Sequence, residues 1–323
     1  MARIVVLATG GTIASAYVPG GGSAAQRGVA DLLAGAPGGP AIVEGKDVMN
    51  LGSYLLTHRD LRRIAEAAAA ELARDDVDGV VITHGTDTME ETAYLLDLVH
   101  SADKPVVFTG AQRAADEPDT DGPRNLRDAI AVAASPRARG RGVLLVFAGR
   151  ILPAARTRKT ATIAPDPFAA LGAGPVGSIV DGNVAFTAAP LRPSPLALPD
   201  ARFDVTRVDV VVAHPGADAR LASAAVDAGA RGVILAGTGA GNGNHALLEW
   251  VRTATADGIT VGLSTRVHEG PVVPIYANGG GVDLVAAGAL CTGSLPLFHA
   301  RILFAALLAG GRHVDGDAIA DHV

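Results

Sequence analysis

The stretch Ile4-Val5-Val6-Leu7-Ala8-Thr9-Gly10-Gly11-Thr12 decides how the rest of the chain is read. A positive charge at Arg3 and the later Ala14-Ser15-Ala16 give it the look of a secretion signal. The apolar run stops after five residues, however, short of the roughly seven that a signal core needs. An uninterrupted run of this length, ended by Thr-Gly-Gly, instead suits a strand buried on both faces of a parallel sheet. No later apolar run approaches the roughly 18 residues of a membrane span, so a soluble, cytoplasmic protein without a membrane partner is expected.

Working outward, strand-like and helix-like patterns alternate. A helical stripe covers residues 60–72, a strand run 79–83, a helix 89–98, a strand 106–109, a helix 125–134 and a strand 143–147. Such alternation predicts right-handed crossovers and a mainly parallel sheet flanked by helices. Around Leu191-Arg192-Pro193-Ser194-Pro195 the periodicity is lost and proline accumulates, as in a linker. Beyond it, runs at 208–213, 233–236 and 260–263 alternate with helical patterns at 220–227 and 245–255. The expected organisation is an α/β N-terminal catalytic domain over 1–190, a linker over 191–204 and a smaller α/β domain over 205–323. A chain of 323 residues suits two such cores.

Composition narrows the partners. With 27 basic and 33 acidic residues the net charge is −6, which argues against a nucleic-acid partner and for a small molecule. The single cysteine, Cys291, can form no internal disulfide or zinc cluster and reads as a small buried hydrophobe. His84 has no second histidine at metal-ligand spacing, so neither a metal nor another cofactor is assigned.

In open parallel sheets, ligands bind beyond the carboxyl ends of the strands. Three of those ends are polar here: Thr9-Gly10-Gly11-Thr12, Thr83-His84-Gly85-Thr86-Asp87 and Thr109-Gly110-Ala111-Gln112-Arg113. In the first, paired glycines let backbone N–H groups approach a ligand and leave the Thr12 hydroxyl facing it. Taken alone, the same tetrapeptide also reads as an ordinary turn with a capping threonine. Its glycine spacing fits no phosphate-binding loop. In the second, Thr86 or Asp87 is a good N-cap for a helix that begins Thr88-Met89-Glu90-Glu91. A threonine hydroxyl needs a base to become a nucleophile. Lys159, in the polar run 156–162, is a candidate, although a lone lysine is more often a solvated surface residue.

Taken together, these segments resemble the bacterial-type L-asparaginases, two-domain amidohydrolases with a threonine nucleophile. The likeness is carried by Ala8-Thr9-Gly10-Gly11-Thr12-Ile13-Ala14 and, about seventy residues on, by residues 81–93 with Thr83-His84-Gly85-Thr86-Asp87-Thr88-Met89-Glu90-Glu91 at their centre. Gly110 to Arg113, Asp121-Gly122-Pro123 with Asn125, Lys159 and Gly241-Asn242-Gly243-Asn244 support it, so it runs through nearly the whole chain. The resemblance implies that Thr12 attacks the side-chain amide of asparagine, with Thr86 as relay, Lys159 as proton sink and Asp87 completing the cluster. It places Gly11, Ser53, Tyr54, Gly85, Thr86, Asp87 and Ala111 around the substrate, with Asn244 reaching in from a neighbouring subunit. A homodimer or homotetramer with shared active sites follows from it.

The family pattern is broken in two places. Tyr54 stands where the secreted, high-affinity members have glutamine, and Gly22 stands where their lid carries a tyrosine. Tyr17 is either the displaced lid tyrosine, acting in catalysis, or an ordinary loop residue. Glu269 and Asp283 are the candidates for the acid that the family supplies from the partner subunit. The competing readings are a relative acting on glutamine, a D-amino-acid amide or another amide, and a non-catalytic small-ligand binding protein.

Overall fold

The computed structural model describes residues 1–36, 39 and 41–322. Residues 37, 38, 40 and 323, which the sequence reading assigns to the two domains, lie outside the described residues. The chain divides into two compact units, Met1–Leu198 and Pro199–Val323.

The first unit is built on an eight-stranded sheet. From one edge its strands run Ala41–Leu51, Ala2–Gly10, Gly79–Thr83, Val106–Thr109, Val143–Phe147, Arg150–Pro153, Gly177–Val180 and Asn183–Phe186. The first five are parallel and the last three antiparallel. The opening apolar run shows why the middle strands are apolar throughout. Ile4, Val6 and Ala8 pack on one side with Leu126, Ala129 and Ile130 of the helix Gly122–Ala134. Val5 and Leu7 pack on the other, with Ile64 and Ala68 of His58–Leu72 and Met89, Ala93 and Leu96 of Met89–Val99. A strand covered on both faces has no polar side to alternate with.

Four strands of this sheet escape sequence periodicity. Ala41–Leu51 is an edge strand that mixes Glu44, Lys46, Asp47 and Asn50 with apolar residues and is mostly half-buried or exposed. The three antiparallel strands are only four residues long each. In chain order the five parallel strands lie 2-1-3-4-5, so the crossovers leave the first strand in opposite directions between Ala2–Gly10 and Gly79–Thr83. The crevice at such a switch point is where open α/β sheets bind ligands.

The second unit has four parallel strands in the order Val208–Val212, Gly232–Gly237, Thr260–Thr265 and Leu290–Cys291. Its helix Leu297–Ala309 is buried almost all round and therefore shows no amphipathic stripe in the sequence. The proline-rich stretch ends in a short helix, Ala201–Val205, which Asp200 starts by accepting the Arg202 N–H. Cys291 is a free thiol, half-buried at the end of its strand, so the expectation of a buried residue is corrected to partial burial. The reason is the strand's edge position and its two-residue length. Among the described residues, no helix is long and apolar enough to cross a membrane.

Candidate active site

The switch point is closed by contacts between the strand ends and their loops. Thr9 Oγ1 donates to the Thr83 carbonyl at 2.8 Å, joining the ends of the two central strands. Beyond them the two glycine loops meet back to back. A Cβ on Gly11, whose φ is +80°, would lie 2.4 Å from the backbone of Gly85, and one on Gly85 would lie 2.6 Å from Ser53 Oγ. Real side chains do not fit at those distances, so the paired glycines serve close approach of backbone to backbone.

A cleft of about 420 Å³ opens there. Gly11 and Thr12 line it from the first loop, Ser53 and Tyr54 from the turn after Ala41–Leu51, Gly85, Thr86 and Asp87 from the second loop, and Gln112 and Glu117 from the third. Thr12 is half-buried, Ser53 is buried and Tyr54 is 72 % exposed. The Ser53 hydroxyl oxygen is enclosed and has no hydrogen-bond partner among the described residues. A buried polar atom without a protein partner is uncommon in folded proteins.

Lys159 ends the short strand Thr157–Lys159, which pairs antiparallel with Phe168–Ala170. Its side-chain nitrogen Nζ donates to Thr86 Oγ1 at 2.8 Å and to Asp87 Oδ1 at 2.7 Å. The lysine side chain is only 15 % exposed, whereas that of Asp87 is 56 % exposed. Lys159 is therefore an enclosed amine, not the solvated surface group that a lone lysine usually is. This arrangement also corrects the expected helix cap. Thr88 occupies the N-cap position of Met89–Val99, and Thr86 and Asp87 do not, because Lys159 holds both of their side chains. The Thr88 hydroxyl donates to the Ser53 carbonyl at 2.9 Å and fastens the Ser53 turn to the helix start.

Behind the loops stand groups that the sequence reading left without a role. His84 is fully buried, and desolvation lowers its pKa to about 4, so it is neutral at physiological pH. Its Nδ1 is 2.7 Å from the Gly85 carbonyl, which makes Nδ1 the protonated nitrogen, donating to that oxygen. Glu90 is buried beneath Lys159 and accepts its backbone N–H. Burial pushes the Glu90 carboxyl up to about 7, against the lowering effect of that hydrogen bond and of Arg158.

The motif around Asp121 locks the third loop. Asp121 accepts the N–H groups of Gln112 and Arg113 at 3.0 Å, while Asn125 Nδ2 donates to the Gly110 carbonyl at 3.0 Å. Ala111, between them, is fully buried. Glu90 and Gln112 both sit inside quoted motifs, yet their roles depend on which backbone folds against them.

Tyr17 is 64 % exposed and does not line the cleft. It closes a hairpin in which Ser15–Tyr17 pairs with Ser23–Ala25 and Val18 bonds Gly22, and the hairpin contributes Ser15, Ser23, Ala24 and Ala25 to the lining. In the second unit, Asn244 N-caps the helix His245–Ala256 by accepting the Leu247 N–H at 2.9 Å. Asp283 accepts the Gly279 N–H at 2.8 Å, and Glu269 is exposed.

Fold and site together define a two-unit α/β protein with hydroxyls, a lysine and a carboxylate gathered at the switch point of the parallel sheet of its first unit. Residues 3–192 match the family model described as asparaginase, N-terminal, and residues 207–321 match that of the glutaminase/asparaginase C-terminal domain. L-asparaginase 2 of Bacillus subtilis is 37 % identical over 89 % of this chain and 79 % of its own length. L-asparaginase 2 of Escherichia coli is 36 % identical over 93 % of this chain and 87 % of its own. The crystal structure of a probable cytoplasmic L-asparaginase from Campylobacter jejuni superposes with a TM-score of 0.87 at 29 % identity, covering 100 % of this chain and 99 % of that one. The chain belongs to the asparaginase family.

Proposed function

We propose that this protein hydrolyses the side-chain amide of L-asparagine to L-aspartate and ammonia through an ester on Thr12. The observation that carries the reading is Lys159, whose amine touches both Thr86 and Asp87 at the edge of a cleft lined by Thr12 and Ser53.

In this mechanism the Thr12 oxygen attacks the amide carbon as its proton passes to Thr86 Oγ1, whose own hydrogen moves to the unprotonated amine of Lys159. The C–N bond then breaks, and the leaving nitrogen takes a proton and departs as ammonia. Water attacks the ester in a second round and returns the hydrogen to Thr12. The oxyanion of each tetrahedral intermediate is held by backbone N–H groups of the two glycine loops, where one donor is worth about 3 kcal/mol. His84 supports that role. It draws the Gly85 carbonyl towards itself, and in a planar trans peptide the Thr86 N–H then points the opposite way.

Asp87, more than half exposed, suits the substrate ammonium, and the unpaired Ser53 hydroxyl suits its α-carboxylate. The Ala111 carbonyl faces the leaving amide in this reading, and Tyr54 replaces a smaller polar neighbour of the ammonium. Tyr17, on the hairpin that lines the cleft, serves as the lid tyrosine in this reading. Asn244 joins the ammonium from a neighbouring copy, in a homodimer or homotetramer. Cytoplasmic action is consistent with the description of the Campylobacter jejuni relative.

The test is ammonia release from L-asparagine, L-glutamine and D-asparagine by the wild type and by Thr12→Ala. We expect turnover of L-asparagine and a loss of about 10³-fold or more in kcat in the variant. Undiminished turnover by Thr12→Ala removes the nucleophile assignment. A preference for glutamine appears in the same assay as faster release from L-glutamine.

A further inference from the structure

An α-amino acid carries its carboxylate and its ammonium on one carbon, so a site that reads both must hold their receptors at one fixed separation. Here the two receptors proposed above lie on different loops, Ser53 in the turn after Ala41–Leu51 and Asp87 in the loop after Gly79–Thr83. The residue beside Asp87 joins them. Thr88 stands at the N-cap of Met89–Val99, where a threonine ordinarily accepts an N–H of the first turn, yet its hydroxyl makes no cap bond. It donates instead to the Ser53 carbonyl at 2.9 Å, 35 residues away. The tie ends on the residue whose own hydroxyl is enclosed in the cleft wall without a partner among the described residues.

Ser53 is held from two further sides. Its side chain packs on Gly85, where a Cβ would lie 2.6 Å from Ser53 Oγ and 2.8 Å from Ser53 Cβ. The Leu56 N–H closes the turn onto the same Ser53 carbonyl at 3.2 Å. Neither contact fixes how far Ser53 stands from Asp87. Leu56 belongs to the turn itself, and a glycine offers no side chain to stop a slide.

We propose that Thr88 is a positioning residue for the α-amino-acid end of the substrate: it sets the separation between the Ser53 hydroxyl and the Asp87 carboxylate, so that one molecule meets both. This rests on the function proposed above, in which those two groups take the α-carboxylate and the ammonium. The proton path through Thr12, Thr86 and Lys159 uses no hydrogen or lone pair of Thr88, so the tie leaves that chemistry free.

Both loops close without the Thr88 hydroxyl. The Thr88 carbonyl accepts the Thr92 N–H at 3.2 Å and the Thr92 hydroxyl at 3.3 Å. At the base of the Ser53 turn, the Leu51 carbonyl accepts the Gly11 N–H at 3.0 Å. Thr88→Val keeps the β-branched shape and removes only the tie between the loops.

The test measures kcat and KM for L-asparagine in the wild type, Thr88→Val, Thr88→Ser, Ser53→Ala and the double variant Thr88→Val/Ser53→Ala. Thr88→Val is expected to raise KM about fivefold with kcat within about twofold, the loss of one hydrogen bond felt in binding and not in the chemical step. Thr88→Ser keeps the donor and is expected to hold KM within about twofold of the wild type. Ser53→Ala is expected to raise KM about tenfold, the loss of a hydrogen bond to a charged group. In that background Thr88→Val should add less than about twofold, because the hydroxyl it places is gone. KM effects that multiply in the double variant overturn the proposal, since Thr88 would then act otherwise than through Ser53. A kcat that falls as far as KM rises overturns it too. An unchanged KM in Thr88→Val, with Ser53→Ala impaired, overturns it while sparing the proposed function. An unchanged KM in Ser53→Ala fails the α-carboxylate seat of that function, and the proposal with it. Should Thr88→Val not fold, Thr88→Ala is measured in its place against the same expectations.

Discussion

The two units use the same architecture, a parallel sheet between helices, but spend the polar residues at their strand ends differently. In the second unit they are consumed locally. Thr238 Oγ1 donates to the Asn242 carbonyl, Thr265 Oγ1 donates to the Gly239 carbonyl, and Asn242 Oδ1 accepts the Gly281 N–H. Each bond closes a turn of its own unit. In the first unit the corresponding groups are coupled to one another or left open. Thr86 and Asp87 share one lysine, and Ser53 Oγ is enclosed without a partner. Polar residues at strand ends are thus no mark of a site by themselves. The mark is polar capacity that the fold leaves unused, at a place where burial makes that costly.

The sharpest way to break this contrast is to remove the shared lysine. Lys159→Met keeps most of the side-chain volume and frees Thr86 and Asp87 at once. We expect kcat to fall about 10³-fold, within the range for loss of a positioned proton acceptor, with the fold retained by circular dichroism. A loss below about fivefold would reduce Lys159 to a structural tie, like those of the second unit.

Next in size is an effect on stability. The Glu90 carboxyl is raised to about 7 in the folded chain, against 4.5 for an ordinary glutamate. Between those values the folded state holds a proton that the unfolded chain has released. The contribution of this group to stability therefore falls as pH rises through that window. Glu90→Gln keeps an acceptor for the Lys159 N–H and removes the titration. We expect a gain of about 3 °C or more in Tm at pH 8 over the wild type, and little gain at pH 4.5. Asp97, buried and raised to about 6, leaves a residual slope of the same sign in both proteins. Equal Tm differences at the two pH values would show that Glu90 is not a buried titrating group.

The smallest effect sharpens the comparison from the second unit. Asn244 is spent on a helix cap in its own unit and is proposed to reach the substrate of another copy. Asn244→Asp retains the cap acceptor but loses the Nδ2 donor that binds the Ala217 carbonyl at 2.8 Å, so Tm should fall by about 2–4 °C, the loss of one hydrogen bond of roughly 1 kcal/mol. KM for L-asparagine should change as well, because the amide oxygen proposed to face the substrate ammonium is replaced by a charged carboxylate oxygen. An unchanged KM would confine Asn244 to capping.

The alternation of apolar runs and helical stripes was enough to read the two α/β units and the parallel core of the first sheet. It did not yield the edge strand Ala41–Leu51, whose outer face is solvated, or the helix Leu297–Ala309, whose surface is buried nearly all round. In both, burial departs from the one-sided pattern that makes an element legible. The candidate site was legible to the extent that it lies in loops with glycine pairs and hydroxyls at the ends of central strands. Thr12, Thr86, Asp87 and Lys159 could be singled out from residue type and motif.

The sequence by itself determined which residues end which strands, because hydrophobic period and glycine placement are local properties. Only the tertiary structure decided that Lys159, 73 residues after Thr86, closes on it, that Gln112 meets the same hydroxyl, and that Glu90 accepts the backbone N–H of the lysine. Those contacts depend on the 2-1-3-4-5 strand order, which brings strand ends distant in sequence to one crevice. No local pattern of residues records such a meeting.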